Sequence, residues 1–170
     1  MPSPLAGLRV LDASRVLAGP FCGQLLADLG ADVIKVERPG QGDDTRTWGP
    51  PFFGDQLSAY YLCANRSKRA VALDLAKREG LELLHQLLDK SDVLIENFRS
   101  DSAVKMGLGP TELLARHPRL VACSITGFGH TGPMKNEPGY DLAIQALSGL
   151  MAVTGPPEGP PSKVGVARAS

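Results

Sequence analysis

Five short apolar runs punctuate the chain, and stretches with helical spacing separate most of them, a pattern that few architectures satisfy. The runs are Leu8 to Asp12 (LRVLD), Asp32 to Glu37 (DVIKVE), Arg69 to Leu75 (RAVALDL), Asp92 to Phe98 (DVLIENF) and Leu120 to Ile125 (LVACSI). The first reads as a buried strand because it is short, apolar and followed by a loop, and the others read the same way. In GPFCGQLLADLGAD, Pro20 suits a first helical turn and Gly30 a left-handed stop, predicting a helix of about ten residues. KREGLELLHQLLDK sets Leu81, Leu84 and Leu88 at spacings of three and four, with Glu82 and Lys90 off that face: an amphipathic helix on a sheet. TELLARH predicts a short helix stopping before Pro118, and a last helix is expected from about Asp141 to Val153. Between the second and third runs the sequence reads as a loop-rich insertion. Strands alternating with helices imply an α/β fold, a Rossmann-like parallel sheet with flanking helices and right-handed crossovers. Ligands of such sheets sit beyond the strands' carboxyl ends, so chemistry is sought just after Asp12, Glu37, Asp74, Glu96 and Ile125.

Composition narrows the partners. A chain of 170 residues fits one ordinary domain, and 43% hydrophobic with 21% charged residues argues against disorder and against a membrane class. Lys plus Arg and Asp plus Glu both total 18, so no global field draws nucleic acid or anionic lipid, and any anion site is local. The apolar runs are too short to span a bilayer, and MPSPLAGLRVLD enters a strand pattern without a secretory or transit signal. A cytoplasmic, reducing location is expected. Cys22, Cys63 and Cys123 are odd in number and lack a CxxC, fitting neither a disulfide framework nor a zinc site; they read as small buried hydrophobes. His85 and His117 read as surface or capping residues, and His130, in GFGHTGP, as a loop residue able to contact a ligand. Three isolated histidines make no metal site.

Known catalytic patterns are absent. A dinucleotide fold needs G-x-G-x-x-G in its first turn, whereas DASRVLAGPF holds only Gly19; Glu37 mimics the ribose-binding acid but stands without the glycines. There is no G-x-S-x-G elbow, no phosphate-binding P-loop and no H-E-x-x-H.

Taken in order, RVLAGPFCGQLLADLGADVIKVERPGQGDDTR, NRSKRAVALDL, DVLIENFR, MGLG, ITGFGHTGP and GYDLAIQALSGLMAVTG resemble the class III coenzyme A transferases, the CaiB/BaiF family, over nearly the whole chain. The resemblance implies a CoA-binding α/β domain over 1–154. A Pro/Gly-rich segment, 155–170, would then lead toward an active-site aspartate and a second domain. It implies coenzyme A or acyl-CoA as substrate, a carboxylic acid as the second small molecule, no covalently bound cofactor, no metal and a homodimer. The family also allows a mitochondrial location.

The resemblance also implies a set of contacts. Arg38 matches a nucleotide-contacting arginine, where a charge-assisted bond contributes ~1.5 to 3 kcal/mol. Its alternative is a surface ion pair with Asp43 or Asp44, worth ~1 kcal/mol or less. Leu17 and Ala18 would line the CoA groove, and Leu73, Asp74, Leu75 and Ala76 would border the adenine. Asn97 and Phe98 would meet the pantetheine, and Lys105 would supply a second phosphate cation. Phe98 could equally be core, and Leu73 reads better as core. Leu17 stands where some transferases carry Gln, and Lys105 where some carry Arg, which keeps the charge but loses the bidentate fork. Tyr140 occupies the position of a racemase histidine; with a reference pKa near ~10 it suits a transferase better than a proton-exchange enzyme. Asp141 reads as a helix N-cap.

In the family an aspartate attacks the donor thioester, forms a mixed anhydride and becomes a CoA thioester. Aligned on VGVA, its position here is Ser170. The expectation is an N-terminal transferase segment, inactive alone and prone to polydisperse association. A non-catalytic CoA-binding or dimer-modulating form is the alternative. GDDTRTWGPPF resembles the dicarboxylate-using branch.

Overall fold

In the computed structural model, which describes residues 3–54 and 57–165, each of the five apolar runs contains a strand of one parallel sheet. Strands β1 (Arg9–Asp12) and β2 (Asp32–Glu37) are followed by a small antiparallel hairpin, β3 (Phe52–Phe53) with β4 (Leu57–Ser58). Then come β5 (Arg69–Ala72), β6 (Val93–Glu96) and β7 (Val121–Ser124). The sheet order is β5-β2-β1-β6-β7, so the direction of winding reverses between β1 and β6, the switch point at which such sheets open a crevice. The helices are α1 (Ala18–Asp28), α2 (Ala59–Asn65), α3 (Arg78–Leu88), α4 (Ser100–Lys105), α5 (Pro110–Arg116) and α6 (Asp141–Leu147).

Two apolar clusters pack the two faces of the sheet. Leu11, Val36 and Leu94 face α3 and α5, meeting Leu84, Leu88 and Leu113, while Val10, Val33 and Ile95 face α1 and meet Ala27 and Leu26. In the inner strands β1, β2 and β6 neighbouring residues therefore alternate between two buried faces, which is why those runs look nearly continuously apolar.

Several expectations are corrected. The third and fourth strands end early, at Ala72 and Glu96. Leu73 N–H still bonds Glu37 O at 2.9 Å, but Asp74 Oδ1 then accepts from Ala76 N–H and turns the chain toward α3. Phe98 N–H likewise turns back onto the Glu96 carboxylate at 2.7 Å. The insertion holds β3, β4, a 3-10 turn at Asp44–Thr47 and α2, which Ser58 caps by accepting from Tyr61 N–H. The last helix stops at Leu147, and Asp141 is its first residue, with Tyr140 at the N-cap position. Cys63 is exposed and Cys22 and Cys123 are half-buried, so none is deeply buried.

His85 and His117 are buried, not superficial: each is 6% exposed. α3 and α5 share one face, and the rings satisfy each other, His85 Nδ1 lying 2.9 Å from His117 Nε2 while His117 Nδ1 lies 3.0 Å from Asp89. With His117 Nδ1–H donating to Asp89, its Nε2 accepts from His85 Nδ1–H. Burial, with help from Arg116 and His117, pushes the His85 pKa down.

The chain divides into two compact units, Met1–Ile125 and Thr126–Ser170. In the second, Gln145 is fully buried; its amide donates to Asp141 at 2.7 Å and accepts from Val164 N–H at 2.9 Å, tying the Pro/Gly-rich segment to α6. Among the described residues no helix is long and apolar enough to cross a membrane, and no cluster of three His, Cys, Asp or Glu side chains is disposed to hold a metal.

Candidate functional site: a cation-rimmed groove at the strand ends

The first unit carries a groove of about 560 Å³ at the carboxyl edge of its sheet. Ala13 and Arg15 enter it after β1, Glu37 at the end of β2 and Arg38 after it, Leu73 to Ala76 after β5, Phe98 after β6, Ser102 and Lys105 from α4, and Met106 just past that helix. Its floor is apolar, from Val36, Leu73, Phe98 and Met106, and three cations, Arg15, Arg38 and Lys105, line it.

Arg38 stands at the start of a tight turn, where Gly42 N–H bonds Arg38 O at 2.9 Å. Gly42 has φ +71°, and a Cβ there would press on the Arg46 side chain and on Glu37 Oε2 at 2.8 Å, so both conformation and space call for glycine. The ion pair considered for Arg38 is not formed: Asp43 pairs with Lys35 at 3.0 Å and Asp44 with Arg15 at 3.9 Å.

Beside the groove, and sharing Glu37 and Asp43 with its lining, lies a layer of buried charge. Lys35 and Asp43 are each 1% exposed in their side chains, and Lys35 also donates to Ser14 O at 2.9 Å. Burial works against the Asp43 carboxylate, but Lys35 and the donors of Thr45 outweigh it, so its pKa is lowered. Asp12 pairs with Lys68 at 2.8 Å and accepts from the Ser14 hydroxyl, and Lys68 also donates to Pro20 O and Asn65 Oδ1. Lys68 thus has all three donors engaged, yet burial pulls its pKa down despite Asp12. Glu37 takes a bidentate pair from Arg46, at 2.8 and 3.0 Å, and a bond from Tyr61 Oη at 2.7 Å. Burial, then Glu37, pushes the Tyr61 pKa far up, so the phenol remains a donor.

The turn after β1 is clamped across the switch point. Asn97 Oδ1 accepts from Arg15 N–H and Asn97 Nδ2 donates to Arg15 O, both at 2.8 Å. The next residue, Val16, has φ +70°, a costly conformation for a β-branched side chain, and its N–H bonds Asp43 Oδ2 at 3.3 Å. A dinucleotide fold leaves such a turn donor to a pyrophosphate; here the protein's own carboxylate takes it.

Of the residues singled out from the sequence, Arg38, Leu73, Asp74, Leu75, Ala76, Phe98 and Lys105 meet in this groove. Leu17 and Ala18, the N-cap and first residue of α1, do not line it, and the Asn97 amide is engaged with Arg15. Tyr140 belongs to the second unit and is 73% exposed. Arg15, Gln41, Ser102 and Met106 are additions. The rule that ligands gather just past strand ends reaches Arg15; the other three have no such signal.

A five-stranded parallel sheet wound in both directions from β1, with its groove at the carboxyl edge, defines a Rossmann-like α/β architecture. The chain belongs to CoA-transferase family III, whose model matches residues 5–169. It is 53% identical to the succinate–glutarate CoA-transferase of Agrobacterium fabrum, over 96% of this chain and 42% of that protein. It is 49% identical to the succinyl-CoA:glutarate CoA-transferase of Homo sapiens, over 96% of this chain and 37% of that one. The crystal structure of a CaiB/BaiF family protein from Brucella suis superposes with a TM-score of 0.92 at 51% identity, covering 98% of this chain and 45% of that one. The chain thus spans about two fifths of the length of the curated relatives it matches.

Proposed function

We propose that this chain supplies the CoA-holding α/β part of an acyl-CoA:carboxylate CoA-transferase, which moves CoA between carboxylic acids through an aspartyl-CoA intermediate. The observation that carries the reading is the groove, where Arg38 and Lys105 accompany an apolar floor. CoA has that chemistry: phosphates for the cations, and an adenine and pantetheine arm for apolar walls. Leu73 to Ala76 border the adenine, Arg38 and Lys105 take phosphates, and Phe98 packs on the arm. Asn97 acts here by fixing the Arg15 peptide, which holds the groove's rim in place. Dicarboxylic acyl groups are the proposed substrates, in line with the names of the relatives and with GDDTRTWGPPF.

Ser170 stands where the family's nucleophilic aspartate is expected and lies outside the described residues. A serine hydroxyl attacking a thioester gives an ester, so it cannot replace a carboxylate in the anhydride and thioester sequence. The 170-residue chain alone is therefore proposed to bind CoA without transferring it. Leu142, Leu147 and Val153 are more than half exposed, and such apolar surface favours concentration-dependent self-association, readable by sedimentation.

The test is thermal protection. CoA should raise the melting temperature where NADH does not, and Arg38→Ala or Lys105→Ala should weaken CoA by roughly ten- to a hundredfold, the worth of one charge-assisted bond. Equal shifts in wild type and both variants would remove these cations from the site. Exchange between succinyl-CoA and labelled glutarate above a heat-killed control would overturn the proposed inactivity.

A further inference from the structure

Two of the three thiols share one spot. The register of the sheet sets Asp12 of β1, Ile95 of β6 and Cys123 of β7 in one row, on the face that α1 covers. α1 lies close on that row: a Cβ at Gly19 would stand 3.6 Å from Ile95 Cγ2, and one at Gly23 would stand 2.9 Å from Asp12 Oδ2. Cys22 precedes Gly23 on the helix. Its side chain and that of Cys123 both pack against the cluster of Val10, Val33 and Ile95, and Cys123 is near enough to act on the Cys22 thiol. Both are half-buried, which leaves room for a small reagent. Cys63 lies apart on α2, exposed, with its Sγ on Tyr60 O.

We propose that Cys22 and Cys123 form a dithiol that a low-molecular-weight disulfide, such as oxidised glutathione, converts reversibly into an intrachain disulfide joining α1 to β7. One thiolate attacks the glutathione disulfide, forming a mixed disulfide and releasing one glutathione thiolate. The second thiolate then attacks the protein sulfur of that mixed disulfide and releases the other. Two S–H bonds are lost and one S–S bond forms; oxidised glutathione takes the two electrons and leaves, with the two protons, as two glutathione molecules. Burial, then the neighbouring Cys123 and Asp12, pushes the Cys22 pKa up. The reactive thiolate is scarce near neutrality, so oxidation should be slow and should quicken as the pH rises.

The experiment uses the unaltered chain: incubation with oxidised glutathione, alkylation of remaining thiols, and digestion without reduction for mass spectrometry. The expected result is a linked peptide pair containing Cys22 and Cys123, an intact mass lower by about 2 Da before alkylation, and alkylation at Cys63 alone. The melting temperature should rise, and dithiothreitol should reverse both changes. A Cys63→Ser chain should give the same link. Stable glutathione adducts on Cys22 or Cys123 without a link, linkage mainly through Cys63 or between chains, or alkylation of all three thiols after oxidation would each overturn the proposal.

Discussion

The layer packed under α3 and α5 and the charged layer beside the groove are comparably dry, yet one is built from leucines and the other from ions. Leu84, Leu88 and Leu94 lie at 0 to 1% exposure, and so do Lys35 and Asp12. The first layer draws its stability from removed apolar area and tolerates error in proportion to the volume lost. In the second, each charge is stable only while its partner is in place. Closely packed apolar chains fill space; paired ions fix direction, and here they tie the insertion between β2 and β5 to the ends of β1 and β2.

The comparison can be broken most sharply at Lys68. Lys68→Ala strands the buried Asp12 carboxylate and should cost about 3 to 5 kcal/mol, measured by denaturant unfolding. A loss under ~1 kcal/mol would mean that the layer is wetter than it looks. Leu84→Ala, the matched apolar lesion, should cost about 2 to 5 kcal/mol, and adding Leu88→Ala should deepen the loss without the all-or-none behaviour of the ions. Replacing both Lys35 and Asp43 by apolar residues of similar volume should cost far less than removing either alone; equal losses would dissolve the distinction. Ser58→Ala removes the cap of α2 and should cost about 1 kcal/mol. The smallest effect is expected at the buried histidine pair. Because the His85 pKa is depressed on folding, the unfolded chain takes up the proton first. Stability is then full above about pH 6.5, the ordinary histidine value, and is lost as the pH falls toward the lower folded value. His85→Gln should flatten that part of the stability–pH curve.

The same contrast explains what the sequence discloses. Apolar periodicity marks every strand of the sheet and α3, and the run DVIKVE matches β2 to the residue. It says nothing of Lys35, whose place inside that run is as buried as its apolar neighbours, because a lysine reads as a solvated residue until its acceptors are known. His85 was open to the same misreading, since its partner His117 lies 32 residues away. α2 is seven residues long and α4 six, too short for periodicity, though Ser58 before Ala59 is a legible cap. Arg38, Leu75, Ala76 and Phe98 are foreseeable because family motif and strand-end rule agree on them, and Leu73, Asp74 and Lys105 from the motif alone; Ser102 and Met106 enter only because α4 folds over the groove.

The Asn97 clamp has a consequence in time. Arg15 sits in a turn between a strand and a helix, where backbone amides ordinarily trade their hydrogens with solvent quickly. Its N–H and C=O are held by one side chain rooted beside β6, so opening the turn requires two bonds to break together. The Arg15 amide should therefore retain deuterium label as long as the central strands do, and an Asn97→Ala chain should release it many-fold faster while the amides of β1 keep theirs.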